Sequence, residues 1–190
     1  MQVIQTTQWL AEHIADVKIL DASWYLPTEP RNPFQEFQDA HIPSAQFFDI
    51  DLVADTSSDL PHMVPSADVF AQHVSRMGIS NTDTVVVYDS HGIFSAPRVW
   101  WLFRAMGHTD VFVLNGGLPQ WLAEGRETSN DVQTPVSGKF VASLNTASIV
   151  DAATVLNSKH QIIDARPPAR FDGVAPEPRP NARSGHIPNS

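Results

Sequence analysis

Hydrophobic and polar positions follow two different rhythms along this chain, and the places where the rhythm changes mark its elements. Thr84-Val85-Val86-Val87-Tyr88 is an unbroken β-branched run with no polar alternation, the pattern of a strand covered on both faces. Val111–Leu114 repeats that pattern, and Lys18–Asp21 and Gln46–Phe48 are shorter versions of it. Between these runs the apolar spacing shifts to that of a helix. Val99, Leu102, Phe103 and Met106 follow i, i+3, i+4, i+7; Ser95 stands at the N-cap position, Pro97 in the first turn and Gly107 just past the end. Val69, Phe70, Val74 and Met77 predict a second helix, capped by Ser66 and ended by Gly78. Shorter helices are expected over Thr6–Ile14, as a turn near Phe34–Phe37, and after Gly116-Gly117 with Leu118, Trp121 and Leu122. Strands alternating with helices imply an α/β fold, a mostly parallel sheet with helices on both faces.

One phrase occurs twice. Ile19-Leu20-Asp21-Ala22 followed by Ala40-His41-Ile42-Pro43-Ser44 returns as Ile162-Ile163-Asp164-Ala165 followed by Gly185-His186-Ile187-Pro188-Asn189. The offset is 143 residues at the aspartates and 145 at the histidines, the size of a domain. Two tandem units are therefore expected, residues 1–140 and the beginning of a second unit at 146–190. The polar, Pro- and Gly-containing stretch from 127 to 146 reads as their connection. A helix over Thr146–Ser158 should lead into the second copy of the strand, Gln161–Ala165, whose neighbours are expected to lie beyond Ser190.

Composition narrows the function classes. Hydrophobic residues at 42% and charged residues at 17% suit a globular protein with a normal core. A net charge of −9 argues against nucleic acid or an anionic membrane as partner, because both need basic patches. There is no apolar run long enough to span a bilayer and no basic-then-apolar start, so the expected compartment is the cytoplasm. The chain has no cysteine, which excludes disulfides and thiolate metal sites within it. The eight histidines show no metal-binding spacing, and neither a metal nor a cofactor is expected.

In parallel sheets ligands collect where strands end and helices begin, so the segment after Tyr88 comes first. Asp89-Ser90-His91-Gly92-Ile93-Phe94-Ser95-Ala96 is a loop closing onto a helix start, a shape that presents several N–H groups to an anion. Its first residue is an aspartate. A carboxylate in that position fills an anion cradle, so the loop reads as a structural copy of an active-site loop. Ser95 lies in no G-x-S-x-G elbow, which disfavours a serine hydrolase. His41 and His186, each beside Ile-Pro, read as histidines hydrogen-bonded within matched turns. Arg170 and Arg179 sit nine residues apart on a loop stiffened by Pro176, Pro178 and Pro180. They suit a bidentate clamp for a small carboxylate, or else are solvated arginines on an exposed proline-rich turn.

Several longer phrases resemble the tandem-domain rhodaneses: Asp21-Ala22-Ser23-Trp24-Tyr25-Leu26-Pro27, His41-Ile42-Pro43-Ser44-Ala45-Gln46-Phe47-Phe48-Asp49-Ile50-Asp51, Leu60-Pro61-His62-Met63, Phe94-Ser95-Ala96-Pro97-Arg98-Val99-Trp100-Trp101, Asn115-Gly116-Gly117-Leu118-Pro119-Gln120-Trp121 and Pro176-Glu177-Pro178-Arg179. The 3-mercaptopyruvate sulfurtransferases are the branch most resembled, with the thiosulfate sulfurtransferases as their sisters. The resemblance implies two rhodanese-like domains, each a five-stranded parallel sheet flanked by helices. It implies a catalytically silent first domain and a second whose cysteine carries sulfur as a persulfide to cyanide or a thiol. It also implies Arg170 and Arg179 as the holders of the substrate carboxylate, and Asp51 and His62 as supporting groups for proton movement. The partners implied are a small-molecule sulfur donor and acceptor, together with a C-terminal remainder bearing the cysteine, roughly 45 residues past Ser190 by the repeat offset.

Two other readings stand beside this one. A rhodanese domain that recognises a protein partner without catalysis needs no cysteine. A cysteine-dependent phosphatase of related fold does, and Asp89 in the nucleophile's place disfavours it.

Overall fold

The computed structural model describes residues 2–179 and 182–190. The chain divides into two compact units, Met1–Trp24 with Asn32–Asn145, and Tyr25–Arg31 with Thr146–Ser190.

The first unit is built on a five-stranded sheet: β1 (Ile4–Gln5), β2 (Lys18–Asp21), β3 (Gln46–Phe47), β4 (Val85–Tyr88) and β5 (Val111–Leu114). The strands lie in the order β1-β5-β4-β2-β3 and every pairing is parallel. β4 is central, and all four of its residues are buried, as its unbroken apolar run requires. Five helices cover the sheet: α1 (Thr7–His13), α2 (Pro33–Asp39), α3 (Ala67–Arg76), α4 (Ala96–Ala105) and α5 (Gly117–Ala123). Alternate strand residues serve opposite faces. Leu20, Val85, Val87, Val111 and Val113 pack with Phe70 and Val74 of α3 and Val99, Leu102 and Phe103 of α4. Ile19, Val86, Tyr88 and Leu114 pack with Leu10 of α1, Phe37 of α2 and Trp121 of α5. The period of 2 in the strands and 3.6 in the helices thus meet in two cores, one on each side.

Local chemistry sets most helix starts. Thr6, Asn32 and Ser66 each accept the N–H three residues on, and Gly78 takes the left-handed turn after α3 at φ 77. The turn expected near Phe34 is a full two-turn helix, because Asn32 caps it and Pro33 is preset for its first position. β1 is an element that the periodicity did not reveal. It has two residues, and pairing with β5 makes it a strand.

The stretch read as the connection packs onto the first unit. Phe140 is buried between Phe70 and Phe103, Gly138 N–H donates to Ser75 O at 2.7 Å, and Asn81 brackets Val141 with two bonds. A Cβ on Gly138 would stand 2.2 Å from the Ile79 carbonyl oxygen, so only glycine passes there.

In the second unit a 3₁₀ turn at Thr146–Ser148, then α6 (Ala152–Leu156) capped by Asp151, replaces the long helix expected over Thr146–Ser158. A further short helix, α7, spans Pro168–Phe171. Gln161–Ala165, expected to be a strand, pairs with nothing among the described residues, and Ile163 is 81% exposed. A parallel strand exists only through its neighbours, and this segment has none here.

Candidate functional site

Asp89 stands at the carboxyl end of β4 and its residue is fully buried. Its Oδ1 accepts the N–H of His91 at 2.9 Å; its Oδ2 accepts those of Phe94, Ser95 and Ala96 at 2.7, 2.9 and 2.9 Å. Four main-chain donors around one carboxylate make a charge-assisted network that satisfies the opening N–H groups of α4. Here the Ser95 expectation fails. Ser95 occupies the N-cap position, but its side chain makes no cap bond and its Oγ is buried without a partner among the described residues. The N–H groups that an N-cap hydroxyl would accept are not open to it, because Pro97 has none and that of Arg98 donates to the Ser95 carbonyl at 3.0 Å; Asp89 instead accepts those of Phe94, Ser95 and Ala96.

The glycine pair after β5 closes this loop from the other side. A Cβ on Gly117 would stand 2.3 Å from the Asp89 carbonyl oxygen, and Leu118 N–H donates to that oxygen at 3.0 Å. Beside it, Ser90 N–H donates to Ser23 Oγ at 3.0 Å and Ser23 N–H to Asp21 Oδ1 at 2.8 Å, tying the ends of β2 and β4 together. Burial raises the pKa of the Asp21 carboxyl, and burial likewise lifts the Tyr88 phenol well above its ordinary value. The main-chain N–H groups of this loop are thus taken up largely by Asp89 and Ser23. An anion cradle is present, and the protein's own aspartate fills it.

Asp51 and His62 are brought together. Asp49 Oδ1 accepts the N–H groups of Asp51 and Leu52, both at 3.0 Å, which turns the chain after β3. Asp51 then meets two donors, Trp24 Nε1 at 3.1 Å on Oδ2 and His62 Nε2 at 2.6 Å on Oδ1. A carboxylate can only accept, so His62 carries its proton on Nε2. The Trp24 and His62 rings meet edge to face at 4.9 Å. The Asp51 side chain is 67% exposed and that of His62 16%, so the pair is open to solvent from the carboxylate side.

The second unit holds the arginines. Arg170, on α7, places Nε and Nη2 at 3.0 and 2.6 Å from Glu177 Oε2. Arg166 bonds the other Glu177 oxygen at 2.8 Å, both oxygens of Asp164, and the Gly185 carbonyl. The Glu177 side chain is only 7% exposed, and its pKa is lowered, first by Arg170. Arg166 holds that of Asp164 down to about 2. Arg179 lies exposed two residues past Glu177. Sequence reasoning passed over Arg166 and Glu177, although Asp164-Ala165-Arg166 directly follows the repeated strand phrase and Glu177 lies between the two candidate arginines. An open cavity of about 710 Å³ borders this network, lined by Ile162, Ile163, Asp164, Arg166 and His186 among others.

His41 and His186 share one device. His41 Nδ1 lies 2.7 Å from Phe37 O with the two rings stacked at 4.2 Å; His186 Nδ1 lies 2.9 Å from Phe171 O with the rings stacked at 3.9 Å. Each histidine thus has the hydrogen bond expected for it within its turn. Among the described residues no helix is long and apolar enough to cross a membrane.

Comparison with known proteins agrees with this architecture. The family model described as the rhodanese-like domain matches residues 6–124. A mitochondrial thiosulfate/3-mercaptopyruvate sulfurtransferase of Arabidopsis thaliana is 46% identical over 218 residues, covering 98% of this chain and 56% of its own length. The 3-mercaptopyruvate sulfurtransferase of Escherichia coli K12 is 42% identical, covering 96% of this chain and 67% of its own length. The crystal structure of the 3-mercaptopyruvate sulfotransferase SseA from Escherichia coli superposes with a TM-score of 0.89 at 38% identity, covering all of this chain and 73% of that one. The chain thus spans roughly half to two thirds of the length of such curated relatives.

Proposed function

The chain belongs to the rhodanese-like domain family, and from that premise we propose that it is part of a sulfurtransferase acting on 3-mercaptopyruvate or thiosulfate, whose sulfur-carrying cysteine lies outside these 190 residues. Residues 1–140 form the silent rhodanese-like unit in this reading, and 146–190 begin the second. The observation that carries it is the filled cradle. A thiolate receiving sulfur at the first unit's loop would need the place and the four N–H donors that Asp89 holds.

The chemistry follows from the donor. A thiolate attacks the sulfur of 3-mercaptopyruvate, the C–S bond breaks, and pyruvate leaves as its enolate and takes up a proton. The persulfide then passes its outer sulfur to cyanide or a thiol. Arg170 and Arg179 hold the substrate carboxylate, and Glu177 supports the clamp by fixing the Nε/Nη2 edge of Arg170. Asp51 and His62 assist proton movement. The cytoplasm is the compartment of this reading. The mitochondrial name of one relative makes a mitochondrial location the competing outcome, which fractionation of the native cell decides.

Kinetics of the full-length protein test the substrate assignment. Arg170→Ala and Arg179→Ala should each raise KM for 3-mercaptopyruvate by roughly ten- to a hundredfold, from the loss of one charge-assisted contact of about 1.5–3 kcal/mol. KM for thiosulfate should rise less. Equal effects on both donors would reduce the arginines to a general anion field and move the assignment to thiosulfate.

A further inference from the structure

Arg98 sits where a helix does not favour a cation. It is the third residue of α4, where the macrodipole attracts negative charge and Asp89 already supplies it. Its side chain is largely enclosed, and its Nε is buried without a partner among the described residues. The guanidinium lies 5.1 Å from the centre of the Trp101 ring. One contact gives this arrangement a purpose, since Nη2 donates to the main-chain carbonyl of His62.

The backbone at that carbonyl is unusual. The φ of His62 is +57, in the small left-handed region that few non-glycine residues enter, histidine more readily than most. The next residue is pinned as well, because Met63 O accepts Asp55 N–H at 2.9 Å. Rotation of the His62 peptide toward an ordinary φ would swing the imidazole away from Asp51 and from the edge of Trp24. The Arg98 bond fixes the His62 carbonyl, on the C-terminal side of that rotation, and the Asp55 bond fixes the next carbonyl along the chain.

We propose that Arg98 is a positioning residue, which holds the His62 backbone in its left-handed turn so that Nε2 meets the Asp51 carboxylate. This rests on the functional reading only in assigning a use to the Asp51–His62 pair; the positioning itself stands on the geometry of the first unit. Arginine suits the task because a planar guanidinium on a packed stem donates from a fixed direction.

The test uses the 190-residue chain labelled with ¹⁵N, with imidazole nitrogens observed by NMR at about pH 8, where histidine is neutral. The wild type should show His62 as a single tautomer protonated at Nε2, and Asp51→Ala, which removes the acceptor, should leave a mixture of tautomers. Arg98→Met, which keeps the apolar stem and removes the donors, should give the same mixture. Arg98→Gln, which restores an uncharged N–H donor, should recover the Nε2 preference at least in part. A single Nε2-protonated tautomer in folded Arg98→Met would overturn the proposal. So would an Arg98→Gln protein, folded by its methyl spectrum, that behaves like Arg98→Met. Asp51→Asn in the full-length enzyme separates the two ideas: unchanged turnover there removes the proton-transfer role while leaving the positioning result intact.

Discussion

Two four-residue phrases that differ at a single position meet different fates in this molecule. Ile19-Leu20-Asp21-Ala22 is strand β2 and its end, paired on both sides, with Leu20 fully buried. Ile162-Ile163-Asp164-Ala165 has no strand partner among the described residues and leaves Ile163 81% exposed. The aspartates diverge accordingly. Burial raises the pKa of Asp21, whereas Arg166 draws that of Asp164 down to about 2. An apolar β-branched run is permission to form a strand, and parallel neighbours turn it into one. Shorter-range devices need no such help. The stacked phenylalanine–histidine pair forms in both units, because an aromatic ring, a carbonyl and a nearby imidazole suffice.

The comparison can be broken most severely at Asp89. Asp89→Ala would strip the acceptor from four main-chain donors, two buried and two part-buried, and should destabilise the first unit by about 2–4 kcal/mol, read from urea unfolding followed by tryptophan fluorescence. A loss below about 1 kcal/mol would mean that water replaces the carboxylate at no great cost, and that the cradle is not closed.

A paired substitution sharpens the contrast directly. Leu20→Ala should cost about 2–5 kcal/mol through the cavity it leaves in the first core, and Ile163→Ala less than about 0.5 kcal/mol in the same chain. Comparable losses would show that Ile163 is packed in solution.

Acid should separate the two units with a smaller effect. Burial lowers the pKa of His108, so its folded form favours the neutral ring. Stability from this group is therefore full above the unfolded value of about 6.5 and falls as pH drops below it. Asp164, also depressed, contributes above its unfolded value near 3.9 and loses that contribution only as pH falls toward about 2. Hydrogen exchange across a pH series should thus show the strands of the first unit weakening before the Arg166 network loosens. His108→Asn should flatten the earlier change.

Much of the first unit was legible in its sequence. The Val85–Tyr88 run, the α3 and α4 periodicities and the glycine stops are local signals, and the structure obeys them. That Asp89 fills the loop's cradle was legible too, from one acidic letter at the head of an anion-binding shape. What escaped depends on contacts distant in sequence. Asp89 accepts the N–H of Ser95 from six positions upstream; β1 is a strand only beside β5; the 127–146 stretch reads as a connection yet buries Phe140 in the first core. At the candidate site, Asp51 and His62 came from resemblance, and their 2.6 Å contact rests on a turn at Asp49 and a left-handed residue that spacing does not encode. Arg166 and Glu177 escaped because two arginines nine residues apart look alike whether solvated or clamped; the buried carboxylate beside Arg170 tells them apart.

The most direct test of the central claim, a silent first unit whose nucleophile is supplied elsewhere, is pyruvate release from 3-mercaptopyruvate with cyanide as sulfur acceptor, measured side by side for this 190-residue chain and the full-length protein. The account predicts turnover by the full-length protein and none by the cysteine-free chain. Catalytic pyruvate and thiocyanate formation by the cysteine-free chain would contradict it.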